Sequence, residues 1–304
     1  MVFLSYLISG ITLGSVYAII ALGYTMVYGI AKMLNFAHGD VIMVGGYISY
    51  IVMSRIGEPG VGTSVIAVAA AMIVCTILGV LIEGLAYKPL RQATSLAVLI
   101  TAIGVSYFLQ NAAQLIWGAN PRSYSSIIPP PADPGATSTL KLFDGALSVP
   151  YVAILTIAVC IVVMIALTLF TGRTKLGKAM RACSEDKGAA QLMGINVNRT
   201  ISTTFAIGSA LAAIAGVLLC SSYPTLMPTT GSMPGIKAFT AAVFGGIGSI
   251  PGAFLGGILL GIIESLAKAY ISTQLSNSIV FAVLIVVLLV RPAGLLGRYV
   301  PEKV

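Results

Sequence analysis

Charge is scarce in this 304-residue chain: 17 Lys+Arg and 9 Asp+Glu make up 9% of it, against about 25% in a typical soluble domain. With 58% of residues hydrophobic and a mean hydropathy of +1.00, a soluble globular protein is excluded. Histidine occurs once, and no HExxH, Gly-x-Ser-x-Gly or clustered metal-ligand spacing is present. An intramembrane enzyme or a metal centre therefore has no set of residues to stand on. The four cysteines, Cys75, Cys160, Cys183 and Cys220, lie far apart and spell no disulfide framework. The stretch Met1 to Tyr6 lacks a basic region, and the uncharged run continues to Ala31. It reads as an uncleaved first span, because a cleaved signal has a shorter apolar core behind basic residues.

What is abundant is apolar sequence in blocks. Uncharged segments recur at about 3–31, 41–54, 63–82, 93–117, 151–172, 201–221, 238–248, 252–263 (extendable to 271) and 277–290. A bilayer core of about 30 Å takes roughly 20 residues per helical crossing, so eight or nine crossings use about 160–190 residues. No room is left for a soluble catalytic domain, and residues 1–304 read as a single transmembrane domain. In lipid each segment must satisfy its own backbone, which predicts an all-α polytopic helix bundle of eight or nine full or partial crossings. Gly occurs 33 times, with spacings such as Gly252, Gly256, Gly257 and Gly261 that let helix backbones approach closely.

Two polar stretches orient the bundle. Residues 118–150 carry Pro121, Pro129, Pro130, Pro131, Pro134 and Pro150, with Arg122 and Lys141 balanced by Asp133 and Asp144, and read as a neutral irregular external loop. Residues 171–200 hold Arg173, Lys175, Lys178, Arg181, Lys187 and Arg199, which marks a cytoplasmic loop. Counting from there puts Lys88, Arg91 and Lys32 inside, Arg55 and Glu58 outside, the N-terminus outside, and Arg291, Arg298 and Lys303 inside, for nine crossings. The segment 238–248 is too short to cross alone and reads as a partial crossing. Segment 41–54 is also short and follows the polar break Asn35-Phe36-Ala37-His38-Gly39-Asp40. Interrupted spans in both halves, with opposite starting sides, suggest an inverted repeat.

Gly172-Arg173-Thr174-Lys175-Leu176-Gly177-Lys178 fits the start of a phosphate-binding loop, but Ala179 replaces the Mg²⁺-binding hydroxyl and an apolar helix replaces the preceding strand. The same loop reads better as a docking surface: a helix from Gly177 through Ala190, ended by Gly194. Asn35, His38, Gly39 and Asp40 are candidates for a hinge or gate, with Gly245, Gly246 and Gly248 as their counterpart. His38 beside Asp40 is a conceivable proton relay or a helix start. Glu83 and Glu264, at the ends of uncharged runs, read as boundary residues reaching the headgroups.

Longer stretches are recognisable. Gly14-Ser15-Val16-Tyr17-Ala18 through Gly23-Tyr24-Thr25-Met26-Val27-Tyr28-Gly29-Ile30, then Asn35 to Gly39, Thr101 to Asn111, Gly177 to Asp186, Gly194-Ile195-Asn196 and Lys237 to Gly252 resemble the permease family of bacterial ABC importers for branched-chain amino acids, most closely its shorter, H-type branch. The resemblance implies a multi-pass protein of the bacterial inner membrane that works with a second related permease, two cytoplasmic ATPases and a periplasmic binding protein. It implies further that this chain has no ATPase site of its own, ATP and Mg being used by the partners, and that it binds lipid and no nucleic acid. The segment around Gly177, Arg181, Glu185, Asp186, Ala189, Ala190, Gly194 and Ile195 would be the element that seats in an ATPase. Importer permeases often carry Glu-Ala-Ala-x-x-x-Gly there; Ala189, Ala190 and Gly194 keep the pattern, whereas Gly188 stands in place of the Glu. A permease for urea or short-chain amides in the same family is the alternative cargo reading, and a stand-alone carrier or channel a more distant one.

Overall fold

A computed structural model describes residues 2–57, 60–128, 138–142 and 147–297. Each apolar block forms a helix. In chain order these are α1 (Val2–Ala31), α2 (His38–Ile56), α3 (Val61–Ile82), which continues as a π-helical turn Glu83–Tyr87, and α4 (Ser95–Trp117). After α5 (Tyr151–Arg173) come the short α6 (Lys175–Glu185) and α7 (Lys187–Leu192), then α8 (Val197–Ser222), α9 (Ser232–Gly245), α10 (Ile250–Tyr270) and α11 (Ser276–Val290). Among the described residues six helices are long and apolar enough to cross a membrane: α1, α3 with its π turn, α4, α5, α8 and α10. The shorter α9 (14 residues) and α11 (15 residues) and the less apolar α2 complete the polytopic all-α bundle.

Among the described residues four short strands decorate one end. β1 (Arg122–Ser123) pairs antiparallel with β4 (Thr225–Leu226), and β2 (Thr139–Leu142) pairs with β3 (Leu147–Pro150), Leu140 opposite Val149. The expectation of a wholly irregular 118–150 loop is therefore corrected at these positions, where backbone groups beside an apolar bundle find partners in ladders. Leu147 and Val149 of β3 pack with Ala153 and Ile8. Pro129, Pro130, Pro131, Pro134, Asp133, Asp144, Glu58, Arg298 and Lys303 lie outside the described residues.

The strands define a hairpin end; α6 and α7 define a basic end. Val2 starts at the hairpin end, where Tyr6 and Tyr270 rings meet at 6.0 Å and Ser265 Oγ donates to the Tyr6 carbonyl. Ala31 reaches the basic end, where Lys187 Nζ donates to its carbonyl at 2.8 Å. The segment after α11 also lies at the basic end: Leu295 and Leu296 N–H groups donate to the carbonyls of Phe244 and Gly245, the last residues of α9. The start of α1 and the segment after α11 thus sit on opposite ends. Helices that rise from the basic end begin with side-chain caps, Thr94 for α4, Asn196 for α8 and Ser249 for α10, which serve first-turn N–H groups where the chain enters the apolar layer.

Contact between backbones holds the centre. A Cβ placed on Gly14 of α1 would stand 2.7 Å from the Ile258 carbonyl oxygen, and one on Gly257 of α10 would stand 2.5 Å from Ala18 Cα. Lipid tails offer no hydrophobic drive for helix association, so this closeness supplies the dispersion contacts that hold the pair. The packing repeats with inverted sense. α1 lies on α10 as α8 lies on α3; α2 lies on α3 and α8 as α9 lies on α10 and α1. The triplets α1–α2–α3 and α8–α9–α10 are therefore equivalent elements running in opposite directions, the inverted repeat suggested by the interrupted spans.

Gly14→Leu is expected to abolish most monodisperse protein, because overpacking beyond about 1–3 kcal/mol has no side chain to displace, only backbone. Gly62→Leu on α3, where nothing lies within 4 Å, is expected to change stability by no more than about 0.5 kcal/mol. Size-exclusion profiles and melting curves in detergent check both.

Candidate functional site

The two triplets meet where their middle helices begin. α2 and α9 both start inside the bundle: His38 packs on Gly23, about two turns or ~12 Å from the basic end of α1. A Cβ on Gly39 would lie 2.7 Å from the Gly231 carbonyl, and one on Gly235 would lie 2.8 Å from Gly39 Cα. Two helix N-termini therefore face one another at depth, separated by glycine alone, and both carry the positive end of a helix dipole.

Around this crossing the polar side chains are shared between elements. Gln110 Nε2 of α4 lies 2.9 Å from Asp40 Oδ1, and 3.2 Å from both Ser232 Oγ and Ser106 Oγ. One amide thus joins the starts of α2 and α9. Asn35 is buried and accepts from Tyr87 Oη at 2.9 Å. His38 stacks obliquely on Tyr24, centroids 4.6 Å apart, and Phe239 sits against both Tyr24 and Phe36. The pairing of His38 with Asp40 is corrected: Asp40 is directed to Gln110, while His38 Nε2 points at Gly23 and has no hydrogen-bond partner. Neither side chain caps α2, whose N-cap is Ala37.

A second cluster was missed in the sequence. Glu264 of α10, expected at a headgroup boundary, is fully buried: its Oε1 accepts from Lys237 Nζ at 2.7 Å and from Lys268 Nζ at 2.6 Å, and its Oε2 accepts from Tyr17 Oη at 2.9 Å. Glu83 is corrected likewise; it is buried between Arg91, which donates to it, and Ser202, which donates at 2.6 Å. The signal was available. Lys237 is a lone cation within a long uncharged stretch, and an ionisable residue at membrane depth needs a partner of opposite charge. What sequence does not reveal is that α9 and α10 lie side by side and make Glu264 that partner.

At the far side of α9, Gly245 abuts Gly252, where a Cβ would meet the Gly252 carbonyl within 2 Å. The turn into α10 uses Gly246 and Gly248 at φ +103° and +96°, values that other residues adopt only under strain. This turn lies at the basic end, a full half-helix away from Asn35–Asp40, so the two groups of hinge candidates form separate places on one helix pair.

The basic loop folds as two helices and not one. Asp186 breaks the expected 177–190 helix: its φ is −150°, and its carboxylate accepts the N–H groups of Gly188 and Ala189 at 2.7 and 3.0 Å to cap α7. A carboxylate at that position competes with helix continuation by offering the next turn its missing acceptor. Gly177 is buried against the Phe170 carbonyl, Arg181 donates to the Gly172 carbonyl at 3.2 Å, Glu185 and Ala189 are exposed, Ala190 is buried and Ile195 is half-buried. Gly194 turns the chain at φ +80°. Just before it, Leu192 and Met193 are 91% and 83% exposed. The segment resembling a phosphate loop spans the junction of α5 and α6, with no strand before it.

Glu264→Gln is expected to lower stability by about 3–5 kcal/mol, since Lys237 is left charged and unpaired in an apolar surrounding. Adding Lys237→Met is expected to restore part of that loss. A double-mutant cycle read by thermal unfolding checks the coupling, and additive losses would contradict it.

Comparison with known proteins finds relatives along nearly the whole chain. The model of the permease component of branched-chain amino acid transport systems matches residues 6–289. The chain is 46% identical over 306 aligned positions to the high-affinity branched-chain amino acid transport system permease protein LivH of Salmonella typhimurium, and equally to BraD of Pseudomonas aeruginosa, covering 99% of this chain and 98% of each relative. A probable permease of the same name from Methanocaldococcus jannaschii is 30% identical over 293 positions, 92% of this chain and 88% of that one. A polytopic helical bundle with full-length likeness of this kind is a multi-pass membrane permease subunit, and the chain belongs to the branched-chain amino acid transport system permease family.

Proposed function

We propose that this chain forms half of the path of an ATP-driven importer for branched-chain amino acids, with a second related permease as the other half. The observation that carries the reading is the crossing of α2 and α9, two helices that start at mid-depth head to head in an inverted repeat. In transporters of this build the cargo passes where interrupted helices meet, because only there is irregular backbone tolerated at depth. The names of the full-length relatives support the aliphatic cargo.

The basic end is assigned to the cytoplasm by its cations, Lys175, Lys178, Arg181, Lys187 and Arg199. The start of α1 is then outside, facing a periplasmic binding protein. α6 and α7 are the docking element for an ATPase: Leu192 and Met193 present bare apolar surface to water, which suits insertion into a partner groove. The docking set is Gly177, Arg181, Glu185, Asp186, Ala189, Ala190, Gly194 and Ile195, with Asp186 and Gly194 shaping the element and the apolar tip making the contact. The chain binds no cofactor in this reading, and ATP with Mg²⁺ is consumed by two ATPase partners. Their closure draws the docking elements of the two permeases together and shifts the crossing at Gly39, Asp40 and Gly231 between states open to either side. Asn35 and His38 hold one side of that crossing, and Gly245, Gly246 and Gly248 take up the angle between α9 and α10.

The reading is tested in proteoliposomes that contain the chain with its co-purifying partners. ATP-dependent uptake of labelled leucine that requires the binding protein is expected, with urea excluded; uptake of urea instead would move the cargo assignment to short amides. Uptake by the chain alone without ATP would refute the partner requirement. Leu192→Asp with Met193→Asp is expected to reduce ATPase stimulation about tenfold or more, as for loss of a buried apolar anchor pair at an interface, while membrane insertion is unchanged.

A further inference from the structure

At the basic end a cavity of about 350 Å³ opens between the end of α1, the turn after α3, the start of α4 and α7. Three cations line it, Lys32, Arg91 and Lys187, and no acidic residue does among the described residues. Glu83, which pairs with Arg91, lies behind it and is already shared with Ser202. Lys32 occupies the first position past α1 with a φ of +58°, the single positive φ among described residues other than glycine. Backbone strain of this kind persists only where the surroundings impose it, and here it sets Lys32 on the cavity rim. Arg91 is largely buried, and its Nε has no partner. Burial, and then the charges of Arg91 and Lys32, hold the Lys187 ammonium below the usual lysine pKa; of the three cations Arg91 is paired, with Glu83 and Asn198.

The remaining wall is mostly apolar, with Ser95 and Tyr28 as its polar members. Met33, Leu34 and Val98 line the same cavity. It sits at the level where α1 leaves the apolar layer and α4 enters it, the level of the lipid headgroups. A free anion has no use for the apolar wall, whereas an amphipathic anion uses both surfaces.

We propose that this cavity binds the phosphodiester headgroup of an anionic phospholipid in the leaflet at the basic end. Basic pockets between membrane helices at a charged interface take such headgroups, with about 1 kcal/mol contributed per cation. The proposal rests on α1 and α4 crossing a bilayer, and not on the cargo or the ATPases, so failure of the importer reading leaves it standing.

The test is a native mass-spectrometric titration of the full chain, in neutral detergent, with dioleoylphosphatidylglycerol, with dioleoylphosphatidylcholine and with inorganic phosphate. One phosphatidylglycerol is expected to be retained per chain, and phosphatidylcholine is expected to dissociate. Lys32→Gln is expected to weaken retention roughly fivefold, and Lys32→Gln with Lys187→Gln roughly 30-fold. Lys175→Gln, outside the cavity, is expected to leave it unchanged. The single Lys32→Gln variant keeps the Lys187 to Ala31 hydrogen bond, and therefore serves even where the double variant unfolds. Equal retention of phosphatidylglycerol by Lys32→Gln and the parent would overturn the proposal, as would equal retention of phosphatidylcholine. Displacement of the lipid by equimolar inorganic phosphate would make this a free-anion site instead. Unchanged lipid retention with lost binding of the ATPase subunits would assign the cations to a protein partner.

Discussion

The fold depends on backbones touching. Between α1 and α10 the spacing leaves no room for a Cβ at Gly14, Gly257 or Gly261, and the same closeness recurs at Gly45 against Ala213 and Gly216 against Ile42. In water such pairs would be minor beside apolar burial. In lipid, where apolar side chains gain nothing by leaving the solvent, close contact and its dispersion energy decide which helices associate. The abundance of glycine and the inverted arrangement of α1–α2–α3 with α8–α9–α10 are thus two aspects of one constraint: two equivalent triplets can interlock only if their shared faces are nearly bare of side chains.

That interlocking places polar groups where sequence alone cannot. The apolar blocks, the short middle segments and the basic loop were readable because each is a local property: a run length, a break, a density of Lys and Arg. Even the inverted repeat follows from counting sides. The Lys237–Glu264–Tyr17 cluster and the Gln110 link between Asp40 and Ser232 were not readable, because they join residues far apart in the chain. His38 and Asp40 show the opposite error. Their closeness in sequence invites a pair, yet on a helix residues two positions apart point about 200° apart: Asp40 bonds to Gln110 of α4, while the His38 ring lies against Tyr24 and Gly23 of α1.

The buried charges also say which parts move together. Glu264 ties α9, through Lys237, to α10 and, through Tyr17, to α1. Separating these three helices means exposing an unpaired charge to an apolar medium, a cost of several kcal/mol. The link between α2 and α9 across Gly39 and Gly231 is of another kind, made through a single amide of Gln110 that reaches the Asp40 carboxylate on one helix and the Ser232 hydroxyl on the other. Such bonds contribute about 1 kcal/mol to a neutral partner and about 1.5–3 kcal/mol to a charged one, less than the cost of breaking a buried ion pair. The physical contrast divides the core into a stiff body of α1, α9 and α10 and a softer seam along α2 and α4, the seam along which the proposed importer would open and close.

The hydrogen bonds from Leu295 and Leu296 to the end of α9 bear on how the molecule is made. α9 is a half-helix, and its last carbonyls at Phe244 and Gly245 stay open when α9 itself has just been synthesised. Their donors are encoded some fifty residues later, beyond α10 and α11. During biogenesis the inner half of this core therefore waits, unsealed, until the final span has entered the membrane. A nascent chain stopped before that point has α9 tied to α10 through Lys237 and Glu264, but with its last carbonyls at Phe244 and Gly245 still without those donors.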